Sequence, residues 1–508
     1  MGAYIGIDLG TTYSAVAYLD ELGRPIIIDN PNEKDGSNIT PSNITISNGE
    51  FVVGRVARQL YQDKKDSLGR FKSLMGSNET KKLAGKEITP TELSSIVLKA
   101  MLKIAEAEVG EISKAVVTIP ANFNNEAREA TLKAAKMAGL DVDFIINEPT
   151  AAALYYAFES GEELSGNYAI YDLGGGTFDI SIIRVNGQNQ EVLASNGLHK
   201  LGGDDFDRAI QDLVKQKYKD ETGKTLDDYE YTLIQAEEDK ISLSTRRKCI
   251  AGGGDVVGDG SVVITLQRDD FENAISSLLA QTEMLCEATL SDAGLGPDDI
   301  EEIVLVGGST RIPSVRDCIK RVFGKAPVYP ENVDEMVALG AALYAAHKSD
   351  KSELNATQKQ SLKKIKIKEI CNHYFGTIAV SYNSNLERDE LTNSILIKKG
   401  DKIPCSVTEE FSTRYDGQDA ISATVTQSSE NETDPEFVKI VWEGELSLPP
   451  NRPKGQVIEI TYSYDENQVM RCEFVDVKTK KKIEVDLSMS AKDDEGSDDD
   501  EIDRFLVD

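Results

Sequence analysis

Two widely separated stretches carry the same arrangement of chemically able side chains. In "IGIDLGTTYSAVAYLD" an aspartate, Asp8, closes an apolar run and is followed by Gly10, Thr11 and Thr12 before a second apolar run begins. In "YAIYDLGGGTFDISIIRV" Asp172 takes the same place, followed by Gly174, Gly175 and Thr177. Glycine lets backbone N–H groups close on an anion, threonine hydroxyls add donors, and an aspartate can hold a hydrated cation. Alone, such a stretch reads more readily as an ordinary hairpin. As a pair, two such tips facing each other across a cleft could grip a polyphosphate, their aspartates sharing one Mg2+ through its waters. A chance recurrence of a glycine turn is the competing reading. Two further glycine turns lead into helices: Gly307-Gly308-Ser309-Thr310, with Pro313 opening the helix, and "LGGDDFD", with Gly202 and Gly203. A turn before a helix offers a ligand backbone N–H groups and a helix N-terminus. None of the four fits G-x-x-x-x-G-K-[ST] or G-x-G-x-x-G, which excludes a P-loop or a Rossmann fingerprint.

The elements that must position these residues are short apolar strands on either side of each tip, each followed by mixed strand and helix patterning. That layout suggests an internal duplication of α/β halves. A chain of 508 residues is too long for one core and should divide into two or three domains. Its 40% apolar and 28% charged content is that of an ordinary globular protein. No apolar run approaches the roughly 20 residues needed to span a bilayer. Met1-Gly2-Ala3-Tyr4 enters a strand with no charged or apolar leader, which predicts a chain that is not secreted. The six cysteines form no C-x-x-C pair and are expected as free thiols in a reducing compartment. Three histidines leave little room for His-based chemistry, and a net charge of −31 argues against a nucleic-acid partner.

These stretches, with "FKSLMG", "AVVTIPANFNNEAREAT", "IINEPTAAALYYA", "AEEDKISLS" and "IVLVGGSTRIPSV", resemble the Hsp70 chaperone family over roughly the first 345 residues, in the family's order. The resemblance implies an α/β actin-like nucleotide-binding domain, a duplicated ribonuclease H-like fold, that hydrolyses ATP to ADP and phosphate with Mg2+, with K+ as an optional second cation. Carried onto this sequence, it makes Asp8 and Asp172 the water-mediated anchors of the metal. Gly10, Thr11, Thr12, Gly174, Gly175, Gly202 and Gly203 become phosphate contacts. Lys72, Glu148, Thr177 and Asp179 become the groups around the attacking water and the γ-phosphate. Glu237, Lys240 and Ser244, at helical spacings of three and four, would meet the adenosine from one side. Gly307, Gly308, Ser309, Arg311 and Asp334 would close on it from the other. Pro120 and Arg128 match the family's coupling residues, although Asn122 stands where an aromatic usually follows the proline. The implied partners are extended apolar peptides, a J-domain protein and a nucleotide-exchange factor. Phe144 departs from the basic residue used in J-domain docking.

Past Ala346, the polar run "HKSDKSELNATQKQSLKK" reads as a linker, and "KKIKIKEI" (363–370) as an alternating segment able to pair as a strand. The family's acidic, leucine-rich tether is absent there. From 372 to 490, short alternating strands punctuated by Pro-Pro, Asp-Gly and Pro-Lys-Gly turns describe a β-sandwich. By resemblance this is a peptide-binding domain, with Phe411 and Ile421 on its apolar pocket. The acidic run 491–508 has a disordered composition and replaces the helical lid usual in the family. The expected domains are therefore 1–348, a linker 349–371, 372–490, and a tail 491–508. The expected activity is that of a cytoplasmic, ATP-driven, lidless chaperone in protein folding and stress response, with no nucleic-acid or membrane partner. The alternative is a regulatory or scaffold protein of the same fold that binds ATP with weak or uncoupled hydrolysis.

Overall fold

The computed structural model describes residues 2–31, 38–62, 66–142, 144–160, 164–187, 189–254, 257–330, 332–363, 365–383, 387–465 and 468–487. The tail 491–508 lies outside them. Two compact units emerge from the contacts: residues 2–123 with 130–367, and residues 124–129 with 368–487.

The first unit is built on two mixed sheets. One runs Phe144–Asn147, Ile112–Ile119, Ala3–Asp8, Tyr13–Leu19, Pro25–Ile27 in spatial order, and the other Ile300–Val306, Ser165–Leu173, Phe178–Asn186, Asn189–Leu198, Lys366–Lys368. The repeated motif is a repeated topology. Ala3–Asp8 pairs antiparallel with Tyr13–Leu19 and parallel with Ile112–Ile119. Ser165–Leu173 likewise pairs antiparallel with Phe178–Asn186 and parallel with Ile300–Val306. Apolar runs such as Ile5, Ile7, Ala169 and Tyr171 are fully buried because both sheet faces are covered.

The helix Met336–Lys348 lies against the first sheet and against the helix Glu148–Glu159, which packs on the second. It is apolar on every side, with Met336 through Ala346 all buried, as a helix enclosed on all faces must be. Glycines set its approach: a Cβ on Gly6 would stand 2.1 Å from the Ala342 amide nitrogen, and one on Gly340 only 1.8 Å from the Ala151 carbonyl oxygen. In 349–371, read from sequence as a linker, the chain forms the short helix Ala356–Leu362, started by a reciprocal Asn355–Gln358 capping box and anchored by buried Leu362. Lys366–Lys368 follows as the edge strand beside Asn189–Leu198.

The second unit has two four-stranded antiparallel sheets. Their orders are Arg388–Ile397, Tyr374–Asn383, Ala420–Ser428, Lys439–Ser447, and Cys405–Ser412, Val457–Tyr464, Met470–Asp476, Lys482–Asp486. Both contribute to one core; Phe375, Ile397 and Val425 come from the first, and Ile458, Tyr462, Met470 and Phe474 from the second. Strict alternation along Val457–Tyr464 sends Ile458, Ile460, Tyr462 and Tyr464 inward. The Tyr462 hydroxyl lies within hydrogen-bond distance of the Gly376 and Thr424 carbonyls, at 2.8 and 3.0 Å, which ties the second sheet to the first. Among the described residues no helix is long and apolar enough to cross a membrane.

Candidate functional site

Both aspartates end strands in the middle of their sheets, which is how a charged group reaches a cavity inside an apolar layer. Asp8 closes Ala3–Asp8, and the Thr118 hydroxyl donates to its Oδ1 at 2.8 Å. Asp172 lies opposite Asp179 in the second hairpin. That hairpin's tip is closed by the Gly174 amide donating to the Thr177 carbonyl at 3.1 Å. The two tips touch each other through their glycines. A Cβ on Gly175 would meet Thr12 Oγ1 at 2.0 Å, and one on Gly176 would meet the Thr11 methyl at 2.8 Å. Gly307 takes a positive φ of 81°, and a Cβ there would stand 2.5 Å from the Leu173 carbonyl oxygen and 3.0 Å from Asp172 Oδ1. A side chain at any of these positions would push one segment of the site off another.

One cavity collects most of the sequence-predicted residues. Asp8, Gly10, Thr11, Thr12, Lys72, Glu148, Asp172, Gly174, Gly175, Thr177, Gly307, Gly308 and Asp334 all line it. Glu148 begins its helix ahead of Pro149. Its carboxylate accepts from the buried Lys72 ammonium at 2.5 Å. Burial works against charge on Lys72, but Glu148 and Asp8 outweigh it and raise its pKa. Burial, with Glu148 beside it, pushes Asp8 up to about 6. Burial first, then the negative charge of Glu148, holds Asp172 and Asp179 well above the usual carboxylate range. Four acids thus share a single lysine. That excess of negative charge suits a divalent cation. No group of three or more His, Cys, Asp or Glu ligands is gathered among the described residues; the carboxylates and threonine hydroxyls that line the cavity are hard oxygen donors, the kind that suits Mg2+.

Other predicted residues stand behind or beside this cavity. The fourth glycine turn spends its amides on the second tip: Gly203 N–H donates to the Gly174 carbonyl at 3.0 Å and Asp204 N–H to that of Gly175 at 2.7 Å. Gly202 and Gly203 therefore brace the cavity without lining it. Ser309 Oγ donates to the Gly174 carbonyl at 2.9 Å. Arg311 pairs with Asp334 at 2.6 Å. Glu237, Lys240 and Ser244 share the helix Leu233–Thr245. Lys240 pairs with Asp207 at 2.7 Å, and the Ser244 hydroxyl turns back to the Lys240 carbonyl at 2.9 Å. Pro120 is buried just after Ile112–Ile119. Arg128 groups with the second unit, where its Nη1 donates to Gln468 Oε1 at 2.5 Å.

Sequence reasoning missed a buried ion network beside the glycine turns. Arg70 pairs with Asp204 and Asp207, both at 2.8 Å, and Arg58 with Glu237 at 3.0 Å. Glu237, Arg58 and Arg70 line a small second cavity together with Thr11 and Thr12. Burial pushes Asp204 up to about 7, against the pull of Arg70. Asp204 and Asp207 of "LGGDDFD" were visible as acids, but their shared partner Arg70 lies more than a hundred residues away and no local signal marks it. In the second unit, Phe411 and Ile421 are half-buried against the shared core. The open cavity there, lined by Trp442, Thr461, Arg471 and Glu473 among others, includes neither.

Similarity to known proteins agrees with this architecture. The family model described as Hsp70 protein matches residues 4–84 and 78–508. The chaperone protein DnaK of Mycoplasmopsis synoviae (strain 53) is 34% identical over 522 residues, covering 99% of this chain and 81% of that protein. The chain belongs to the Hsp70 family.

Proposed function

We infer that this Hsp70-family chain is an ATP-dependent molecular chaperone, which hydrolyses ATP to ADP and phosphate with Mg2+ and binds extended apolar segments of unfolded proteins. The observation that carries the reading is the convergence of both Asp-Gly-Thr tips, the Gly307-Gly308 turn and the buried Lys72–Glu148 pair on one cavity. On this reading the first unit is the actin-like ATPase domain and the second the substrate-binding β-sandwich. Asp8 and Asp172 would hold Mg2+ through its waters, and the ion would neutralise charge on the phosphates. Thr11, Thr12 and Thr177 donate to phosphate oxygens, and Gly10, Gly174 and Gly175 let the backbone come close. Lys72, kept charged by Glu148, faces the γ-phosphoryl group and offsets charge that develops as water attacks in line. Glu148 and Asp179 orient that water. Glu237, Lys240, Ser244, Ser309 and Arg311 frame the nucleoside side. Pro120 and Arg128 would report nucleotide state, and Phe411 and Ile421 would present apolar surface to the peptide. The reading also takes in a J-domain protein, a nucleotide-exchange factor and a cytoplasmic location; the six free cysteines fit that compartment. Nothing in the comparisons favours the scaffold alternative.

The test is single-turnover hydrolysis of MgATP with and without an unfolded apolar peptide. Hydrolysis that requires Mg2+ and responds to peptide is expected. MgATP binding with no turnover under any condition would overturn the reading.

A further inference from the structure

The mechanism above leaves one buried amide unused. Asn122 follows the strand Ile112–Ile119, and both ends of its side-chain amide are out of solvent with no hydrogen-bond partner. Asp179 is 1% exposed, and its Oδ1 is buried and unpartnered as well. Both groups border one small space. Gly197 lies opposite Asp179 on the neighbouring strand. A Cβ placed on Gly197 would stand 2.6 Å from both Asp179 Oδ1 and the Phe178 carbonyl oxygen, and 2.7 Å from Asn122 Nδ2. The glycine thus keeps a side-chain donor and the carboxylate acceptor close to the same point. The backbone N–H groups of Ala121 and Asn122 also face the Asp179 carboxylate, so the whole turn is wrapped around it. A buried amide and a buried carboxylate oxygen that both lack partners each carry a desolvation penalty, which a link between them removes.

We propose that Asn122 is a positioning residue for hydrolysis: its amide N–H donates to Asp179 Oδ1, directly or through one water held over Gly197, and fixes the carboxylate that orients the attacking water. The proposal rests on the ATPase reading, in which Asp179 has that role. Asn122 does not line the nucleotide cavity, so its effect falls on the rate of the chemical step and not on nucleotide affinity.

Three variants separate a donor role from a packing role. Asn122→Asp keeps the shape and removes the donor, Asn122→Leu removes the donor with a similarly branched but bulkier side chain, and Asn122→Ser keeps a smaller hydroxyl donor. Single-turnover hydrolysis and MgADP affinity are measured for each, with thermal melting to show that each is folded. A donor role predicts a rate order of wild type, Ser, Leu, Asp, with Asp slowed on the order of 10- to 100-fold and MgADP affinity within about twofold of wild type. A packing role predicts the opposite: Asp nearest to wild type, Ser the worst. That order, or equal rates in all variants, overturns the proposal. A wild-type chain that binds MgATP without hydrolysing it would instead sink the ATPase reading. Gly197→Ala, which fills the shared space, is expected to slow hydrolysis as Asn122→Leu does; an unchanged rate in a folded Gly197→Ala protein also counts against the link.

Discussion

Burying Asp8, Glu148, Asp172 and Asp179 around the lone Lys72 sets like charges against one another in a region with little water to screen them. The raised pKa values have a definite consequence for stability. A carboxyl whose folded pKa lies above its unfolded value binds its proton more tightly when folded, so stability falls as pH rises between the two values. For Asp8 that window runs from 3.8 to about 6, and for Asp204 from 3.8 to about 7. The nucleotide- and metal-free protein should therefore lose thermal stability between pH 5 and 7, a trend that MgADP reverses. Asp8→Asn should flatten part of that slope, raising stability at pH 7 by on the order of 1–3 kcal/mol, while weakening Mg2+-dependent nucleotide binding. Melting curves across pH and calorimetry with and without Mg2+ check both halves. Lys72→Ala should keep MgATP affinity within a few-fold yet slow single-turnover hydrolysis by about two to three orders of magnitude, because its charge acts on the transition state. At this scale the sequence was most legible where chemistry and turn geometry coincide, as at Asp8, Asp172 and their glycines. The Arg58 and Arg70 pairs were not, because ion-pair partners across long separations leave no local pattern.

The helix Met336–Lys348 is the element on which the site's geometry depends, since it touches both the strand that ends in Asp8 and the helix that begins with Glu148. Its spacing is set by backbone contact at Gly6 and Gly340, where no side chain intervenes. Gly340→Ala gains some helix propensity, about 1 kcal/mol. It must also move the Ala151 carbonyl, and overpacking of this kind costs about 1–3 kcal/mol. The expected result is a protein less stable in urea, with Glu148 displaced and hydrolysis slowed more than nucleotide binding. Elements with strong periodicity, such as Val457–Tyr464, could be read directly from alternation. The helix Ala356–Leu362 could not, because one buried leucine gives no amphipathic stripe, and only the Asn355–Gln358 capping box marked it. The edge strand Lys366–Lys368 pairs through backbone groups that any residue supplies, so the lack of leucines in this junction did not prevent pairing.

For the whole molecule, the side chains of that junction, without the family's acidic, leucine-rich pattern, argue that ATP alters peptide exchange only slightly, whereas its backbone pairing argues for a larger effect. Backbone pairing gives a specific way to test it. Stopped-flow release of a labelled apolar peptide should accelerate when ADP is replaced by ATP. Ile367→Pro, which takes one N–H out of this edge strand and fixes its φ, should abolish the acceleration while MgATP hydrolysis without peptide stays within about twofold of wild type. Identical release rates in both nucleotides would show that this strand carries no signal. The change from mixed α/β patterning to short alternating strands is plain in the sequence. The grouping of residues 124–129 with 368–487 is not, because it joins stretches more than two hundred residues apart.

The glycines in and behind the cavity bear on how such a site can diversify. Gly175 is pressed by Thr12 and Gly307 by Leu173 and Asp172, while Gly203, behind the cavity, is pressed by the side-chain ends of Ser309 and Lys240, so each neighbour belongs to a different stretch of chain. At Gly175 a side chain can be gained only if Thr12 shrinks at the same time, and at Gly307 the obstacle is the Leu173 backbone carbonyl together with a positive φ, which no change of a neighbouring side chain relieves. Stepwise drift is therefore blocked at the phosphate grip. On the proposed reading it stays open at the nucleoside rim, where the Arg311 side chain is 48% exposed. Natural or laboratory variants that alter base preference should accumulate at that rim while the glycine contacts stay fixed.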